Sequence, residues 1–267
     1  DYVAEEFSTL NNPADFNEVK VAAKYAAWSS LHNVIKAIVG RQHVNEEQLF
    51  PLVSFMAESG LKHKEQHDIN EALLKFIDIM PAVSVRPLME IKGYSVRKRD
   101  CGHERRTSAD TSTFELLLAS AGGQTSVEEL MKFNYGTYTD GEFSNCTVCG
   151  ARSKAVVSHE FDFSRTVVIT VTLNRIMGDE KLTVPCESPL EMQIGTAKFR
   201  LVGFAVHDGW SAKHGHYLAY VKRKHDNSWT CCNDKKVTTN VDVSHILKGD
   251  PQGVKTAALL FYEKISE

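Results

Sequence analysis

Hydrophobic positions in the first 80 residues recur at the spacing of amphipathic helices. Segment 17–40 carries apolar residues at three- or four-residue intervals and ends at Gly40, a residue type that commonly follows a helix. Segments 45–60 and 67–80 show a similar pattern, and we expect Pro51 to start or break the helix in the first of them. The front of the chain is therefore predicted to contain three helices. The apolar stripe expected to face the core from the first helix is Val21, Ala22, Tyr25, Trp28, Leu31, Ile35 and Ile38.

From about residue 85 the pattern changes to that of β-strands. β-branched and aromatic residues dominate, and several segments alternate between apolar and polar positions. The helical part passes into the strand-rich part without a linker or a low-complexity tract, which predicts one α+β domain with a cleft between two lobes. The predicted strand segments are 83–102, 161–176, 198–210, 216–224, 229–234 and 256–264, with a turn at 225–229.

Composition narrows the classes of function. The 267 residues are 42% hydrophobic, enough for a large core, and the net charge of -3 argues against nucleic acid or an anionic membrane as the main partner. No apolar run approaches the roughly 20 residues that span a bilayer. Asp1 opens the chain without Met or a signal peptide, so we expect the natural chain to extend upstream.

The six cysteines favour a metal site over a disulfide framework. Cys146 and Cys149 form a C-x-x-C within a loop-like segment, a spacing typical of zinc ligands in a reducing compartment. Cys101 lies well upstream, but Lys98 occupies the position where a second knuckle would need its other cysteine. Either His103 completes a tetrahedral set or the site is degenerate and free of metal. This usage of cysteine predicts a cytosolic or nuclear protein.

A histidine follows a second histidine and a glycine in the stretch HGHYLAYV, residues 214–221. A hairpin after His216 would bring Asn233 or Asp234 back beside its imidazole, and a histidine oriented by a side-chain oxygen can act as a general base. The alternative is a histidine at the start of a strand that only bonds to nearby backbone. No cysteine in the chain is a convincing nucleophile for such a base.

Several segments together resemble the ubiquitin-specific protease family of papain-like cysteine peptidases. FRLVGFAVHDGWSAKHGHYLAYVKRKHDNSWTCCNDKKVTT, residues 199–239, is similar to the histidine box of that family. TAALLFYEK at 256–264 resembles the final strand, QHDINEALLKFIDIM at 66–80 a helix with the Q-Q-D motif, and 145–175 the second zinc knuckle with its following strand.

The resemblance implies a fold and a ligand. It implies one α+β domain over residues 1–267, with a helical thumb at about 1–85, β-rich fingers at 86–155 with parts of 180–200, and an antiparallel β palm in the remainder. It further implies recognition of the C-terminal Gly-Gly tail of ubiquitin or a ubiquitin-like modifier.

The resemblance also assigns roles to individual residues. His216 matches the catalytic base, Asn233 the residue that orients it, and Asp234 the acidic neighbour. The residues expected to contact the substrate tail are Asp68, His207, Gly215 and Tyr217. The expected ligands of a structural zinc ion are Cys101, His103, Cys146 and Cys149.

The start of the chain departs from the family pattern. If DYVAEEFSTLNNP is aligned with the cysteine box, Asp1 occupies the position of the nucleophile, and a carboxylate cannot replace a thiolate in forming a thioester. Two expectations stay open: a deubiquitinase-type thiol isopeptidase whose cysteine lies upstream of Asp1, or an inactive module that binds ubiquitin or acts as a scaffold in a larger complex. A zinc-ribbon interaction protein without a ubiquitin role is a third.

Overall fold

The chain divides into two compact units, Asp1–Pro87 and Leu88–Glu267. The computed structural model describes residues 18–39, 44–62, 65, 67–80, 85–118, 123–177, 180–211, 214–250 and 252–265. None of the helices in these ranges is long and apolar enough to cross a membrane. The predicted subdivision into thumb, fingers and palm, and the cleft between lobes, stay predictions.

The first unit contains the three predicted helices: α1 (Glu18–Val39), α2 (Glu46–Glu58) and α3 (Ile69–Ile79). Asn45 caps α2 through a capping box, in which its side chain accepts from the backbone of Gln48 and the Gln48 side chain accepts from the backbone of Asn45. A short 3-10 helix, Arg86–Leu88, follows. The helical prediction for this part of the chain is therefore confirmed.

The prediction that Pro51 starts or breaks a helix was wrong. α2 begins five residues earlier, at its capping box, and continues through Pro51 to Glu58. A proline inside a helix removes one backbone hydrogen bond and costs about 3 kcal/mol. Here the loss is offset because Leu52 and Met56, beyond the proline, are buried in the core of the first unit.

The predicted apolar stripe of α1 is only partly correct. Trp28 is buried as expected, but Ile35 is 48% exposed and Tyr25 37% exposed, whereas Ala27 belongs to the core cluster. The Ala-rich sequence of this helix offers apolar positions on more than one face. Periodicity alone therefore did not select the face that packs against Leu52 and its neighbours.

The second unit is built mainly of strands. The longer strands are β1 (Lys92–Arg99), β2 (Glu104–Ser108), β3 (Phe114–Leu117), β8 (Ala155–Asp162), β9 (Val168–Asn174), β13 (Glu191–Ile194), β14 (Ala197–Ser211), β15 (His214–Lys222), β16 (Trp229–Asn233), β17 (Lys236–Thr239) and β18 (Lys255–Lys264). The two-residue strands are β4 (Thr125–Ser126), β5 (Tyr138–Thr139), β6 (Ser144–Asn145), β7 (Arg152–Ser153), β10 (Ile176–Met177), β11 (Glu180–Lys181) and β12 (Cys186–Glu187).

The largest sheet has eight strands, in the order β17-β16-β15-β14-β18-β9-β3, with β13 paired to part of β14. Adjacent strands in this sheet run antiparallel, except β3 and β9, which are parallel to each other. β14 lies between β15 and β18 and pairs with both over most of its length. The core of this unit includes buried side chains from these strands, among them Phe199, Leu201, Leu260 and Tyr262.

A second sheet has the order β2-β1-β8-β5, and the remaining short strands form pairs. The predicted strand segment 83–102 contains the 3-10 helix before β1 begins at Lys92. Segment 161–176 contains the end of β8 and all of β9. The backbone turns between these two strands, where the Ser164 amide donates to Oδ1 of Asp162 at 2.8 Å.

Two helices interrupt the strand-rich part. α4 (Val127–Tyr135) has a capping box in which Ser126 and Glu129 bond reciprocally, and its side chains Val127 and Leu130 are buried. α5 (Ser244–Leu247) is a single turn. The S-V-E-E sequence at 126–129 carries the signature of a helix start, so α4 could have been predicted from the sequence and was missed.

Candidate functional site

The β15–β16 hairpin brings the predicted base and its orienting residue together. The register pairs Ala219 with Cys232 and Lys222 with Trp229. Since successive side chains alternate between the two faces of a strand, Asn233 and His216 lie on the same face. Nε2 of His216 is 2.7 Å from Oδ1 of Asn233.

This contact selects one tautomer of the imidazole. An amide oxygen only accepts hydrogen bonds, so Nε2 of His216 carries the proton and donates it to Asn233. Nδ1 is then left with a lone pair that can take a proton from another group. The arrangement has the geometry of an oriented general base, while the catalytic role of His216 stays a prediction.

Asp234 approaches the same nitrogen from the turn between β16 and β17. Its Oδ2 lies 3.6 Å from Nε2 of His216, and its side chain is 77% exposed. The backbone of Asp234 has a φ of 49°, because Asn233 pairs with Lys236 across a two-residue turn. Asp234 is therefore held beside the imidazole, but Asn233 makes the shorter contact.

His207 and Gly215 pack against each other at the start of β15. A Cβ atom added at Gly215 would overlap the His207 ring, which is buried. His207 pairs with Tyr217 across the two strands, and the ring centroids are 5.1 Å apart. Three of the four residues predicted to contact the substrate tail thus lie together in the fold.

The fourth of these residues, Asp68, belongs to the first unit. It is the N-cap of α3, where Oδ1 accepts from the amides of Asn70 and Glu71 at 2.8 and 3.2 Å. This capping role explains an acidic residue at the position without any substrate. Its contact with a substrate tail stays a prediction, and Asp1 lies outside the described residues.

The four predicted metal ligands converge in two turns. Cys101 and His103 lie between β1 and β2, whereas Cys146 and Cys149 lie between β6 and β7. The candidate ligand atoms of all four are within 4.8 Å of one another. Arg99 links the turns, because Nη1 donates to the carbonyls of Ser144 and Ser153 at 2.7 and 3.0 Å.

The chemistry of this donor set fits a metal ion. Nδ1 of His103 lies 3.5 Å from Sγ of Cys101 and 3.7 Å from Sγ of Cys146. The backbone amides of Cys149 and Val148 lower the pKa of the Cys146 thiol to about 6, because they stabilise the thiolate. Three sulfur atoms and one imidazole nitrogen within 4.8 Å of one another suit a soft divalent cation such as zinc, which prefers four ligands of this kind. These four residues could hold a metal ion.

The remaining thiols do not meet the candidate base. Cys186 is buried, and burial raises its pKa to about 11 because the thiolate is disfavoured in an apolar environment. Cys231 and Cys232 lie on β16 itself. In the described part of the chain, the polar partners of His216 are Asn233 and Asp234, so a nucleophile is not among them.

Two cations near this site, the buried Arg175 and the partly buried Lys181, were missed at the level of sequence. Nε of Arg175 donates to the carbonyl of Ala257 at 2.9 Å, and Nη1 donates to those of Leu182 and Val184 at 3.2 and 2.7 Å. Burial lowers the pKa of Arg175 to about 10. Lys181 also donates to backbone carbonyls. No sequence signal marks either residue, because convergence of carbonyls from distant segments is a property of the fold.

Comparison with known proteins identifies the group to which the chain is related. The family model described as ubiquitin carboxyl-terminal hydrolase matches residues 4–262. A comparison with curated protein sequences gives no match.

Two solved structures share the fold. One is the SAGA DUB module containing a Ubp8 variant with Sgf11, Sus1 and Sgf73, bound to monoubiquitin; it has a TM-score of 0.63 and 18% sequence identity over 82% of this chain. The other is the SAGA Ubp8/Sgf11/Sus1/Sgf73 DUB module bound to ubiquitin aldehyde, with a TM-score of 0.67 and 16% identity over 99% of this chain. The matched regions span 54% and 64% of those chains.

The family match covers both units and includes the hairpin that carries His216 and Asn233. It also includes both turns of the Cys and His cluster. The expected fold class, α+β of the ubiquitin-specific protease type, is confirmed by the match and by the shared fold. The chain therefore belongs to the ubiquitin carboxyl-terminal hydrolase family.

Proposed function

We propose that the chain forms most of a deubiquitinase-type thiol isopeptidase domain, which cleaves after the Gly-Gly tail of ubiquitin or a ubiquitin-like modifier. The observation that carries this proposal is the 2.7 Å contact between Nε2 of His216 and Oδ1 of Asn233. It leaves Nδ1 as the basic atom, as an activated-nucleophile mechanism requires. We infer that the nucleophile is a cysteine N-terminal to Asp1, because no cysteine within the given sequence is a convincing nucleophile for His216.

The reaction follows from the state of the imidazole. Nδ1 of His216 takes the proton of the cysteine thiol, and the thiolate attacks the carbonyl carbon of the terminal glycine of the tail. Nδ1–H then gives its proton to the departing lysine amine, which leaves a thioester. Water, deprotonated by Nδ1, hydrolyses the thioester and restores the thiol. Asn233 keeps the proton on Nε2 throughout, and the Asp234 carboxylate lies 3.6 Å from the same nitrogen.

Three of the residues proposed to contact the substrate tail lie together beside His216. Gly215 packs on the His207 ring, with no room for a Cβ, and Tyr217 pairs with His207 on the adjacent strand. A Gly-Gly tail carries no side chains and can lie close to a backbone, whereas most other peptide segments cannot. This fits selection of a modifier that ends in two glycines.

The Cys and His cluster is proposed as a structural zinc site. Zinc would be held by Cys101, His103, Cys146 and Cys149, and it would fasten the β1–β2 turn to the β6–β7 turn. No open ligand position is needed for this role, so the ion would contribute stability and not chemistry. The six free thiols support a cytosolic or nuclear location for the protein.

A second function is an inactive module that binds ubiquitin or a partner inside a larger complex. The placement of Asp1 at the nucleophile's position in the sequence pattern favours it. The similar Ubp8 chains were solved inside a module with three other proteins, Sgf11, Sus1 and Sgf73. This function keeps the ubiquitin-binding surface but uses neither Asn233 nor His216 for catalysis.

Reaction with a ubiquitin that carries a C-terminal electrophile distinguishes the active isopeptidase from the inactive module. The natural protein that contains these residues is expected to form a covalent adduct, and His216→Ala should abolish it. His225→Ala is the matched control, because His225 is an exposed histidine on the same hairpin, paired with Asp226. Binding of ubiquitin without an adduct would support the inactive module, and absence of both would contradict the two functions together.

A further inference from the structure

Lys181 is a partly buried lysine whose ammonium group faces backbone carbonyls. Nζ donates to the carbonyl of Gly209 at 2.5 Å, to that of Val254 at 3.0 Å and to that of His207 at 3.3 Å. An ammonium group has three N–H donors, so the three carbonyls match its full capacity. A lysine that serves only solubility would instead extend its ammonium into water.

The three carbonyls belong to two segments that meet beside the candidate base. His207 and Gly209 are near the end of β14, whereas Val254 immediately precedes β18. The Gly209 amide also donates to the Val254 carbonyl, at 3.1 Å. Lys181 therefore reinforces a junction that the backbone also makes, through this hydrogen bond and through the pairing of Asp208 with Lys255.

The end of β14 sets the position of the start of β15. Asp208 pairs directly with His216, and the regular pairing is interrupted between Asp208 and Ser211. A Cβ atom added at Gly209 would lie 2.7 Å from Cα of Gly215, so the two backbones are in close approach. A displacement of Gly209 would therefore move Gly215 and, one residue later, His216.

We propose that Lys181 is a positioning residue for His216 and Gly215, because its ammonium fixes the end of β14 against which both residues are placed. This inference rests on the proposed isopeptidase function and extends it to a residue that contacts neither the substrate nor the imidazole. Loss of the ammonium would remove one donor from each of the three carbonyls, of which that of Val254 keeps the Gly209 amide, and would loosen the β14–β15 connection.

The charges around Lys181 make the contact sensitive to pH. Burial lowers the pKa of Lys181 to about 8; nearby Arg175 acts in the same direction, and Asp208 and Asp250 oppose it. Asp208 is itself paired with Lys255, whose Nζ lies 3.5 Å from Oδ2. A neutral amine has two N–H donors for three carbonyls. The contact is therefore complete below about pH 8 and weakens as pH rises through that value.

Hydrogen exchange tests the contact without any assumption about catalysis. In Lys181→Met the Gly209 amide should exchange roughly tenfold faster than in the wild-type protein, the effect of losing about one net hydrogen bond. Lys264→Met is the matched control, because Nζ of Lys264 donates to a single carbonyl, that of Phe163, at the other end of the same sheet. Equal protection of Gly209 in both variants would overturn the proposal.

Kinetics test the link to His216. Lys181→Met should lower kcat for a ubiquitin fluorogenic substrate by about tenfold or more, with KM changed by less than about threefold, because the base is misplaced while most binding contacts remain. The fall in wild-type kcat above about pH 8 should be absent in this variant. An unchanged kcat or an unchanged alkaline limb would contradict the role, since a purely structural defect reduces the active fraction without moving the pH profile.

The wild-type protein gives a test that does not depend on the folding of a variant. The protection factor of the Gly209 amide should decrease as pH passes about 8. The amide of Leu201, which lies in β14 like Gly209 and donates to the carbonyl of Leu190, should keep its protection. A wild-type protein without activity would refute the proposed isopeptidase, whereas constant Gly209 protection would refute the role of Lys181, so the two failures are distinguishable.

Discussion

The ring of His207 lies directly on the backbone of Gly215, at the point where β15 starts. A Cβ at this glycine would overlap Nε2 and Cε1 of His207 and would lie 3.0 Å from the Asp208 carbonyl. Because His207 is buried, its ring has little room to move away. The glycine next to the candidate base is therefore required by packing as well as by the slim substrate proposed above.

Gly215→Ala should destabilise the protein by about 1–3 kcal/mol, the usual cost of forcing an extra carbon into a packed site. The midpoint of urea unfolding, followed by fluorescence, measures this change. Gly141→Ala is the control, because a Cβ at Gly141 meets no atom within 4 Å. Equal midpoints for the two variants would show that the His207 ring does not restrict position 215.

Removal of the orienting amide should impair catalysis more than removal of the neighbouring charge. Asn233→Ala is expected to lower kcat about 100-fold, within the range for general acid–base catalysis, because the imidazole loses its fixed tautomer and orientation. Asp234→Asn should lower it by less than about tenfold, since Asp234 lies 3.6 Å from Nε2 and is mostly exposed. A larger effect for Asp234→Asn in single-turnover assays would reverse the assignment of the orienting residue.

The metal cluster predicts a stoichiometric zinc content. The purified protein should contain about one zinc ion per chain, the number that a single tetrahedral set of four ligands binds. Cys146→Ser should lose the ion and unfold at a lower temperature, whereas Cys232→Ser should keep it, because Cys232 lies on β16 outside the cluster. Elemental analysis after dialysis checks this. A wild-type protein without zinc would indicate a degenerate site.

Arg175 is expected to be a strong determinant of stability. Arg175→Met leaves the carbonyls of Ala257, Leu182 and Val184 without their donor and should cost about 3 kcal/mol in free energy of unfolding. Arg200→Met removes an exposed ion pair with Glu263 and should cost less than about 1 kcal/mol. Urea denaturation of both variants compares them, and similar losses would mean that the buried guanidinium is not the link between these segments.

The hairpin of the candidate site could be predicted from the sequence because its signals are local. Alternation in 216–224, a turn at 225–229 and a return strand place Asn233 beside His216 by strand geometry alone. The α4 helix was also within reach, through its capping box at Ser126 and Glu129. The ligand set that includes His103 was open at the sequence level, since spacing did not decide between a complete and a degenerate site.

What the sequence determined by itself was the type and order of the main elements, the family, and the residues that local spacing brings together. Only the tertiary structure decided which face of α1 is buried, that α2 continues through Pro51, and that Lys181 meets three carbonyls from two segments. The physical reason is that periodicity and turn chemistry act between residues close in sequence. Backbone carbonyls carry no residue identity, so their convergence around one lysine depends on how distant strands pack.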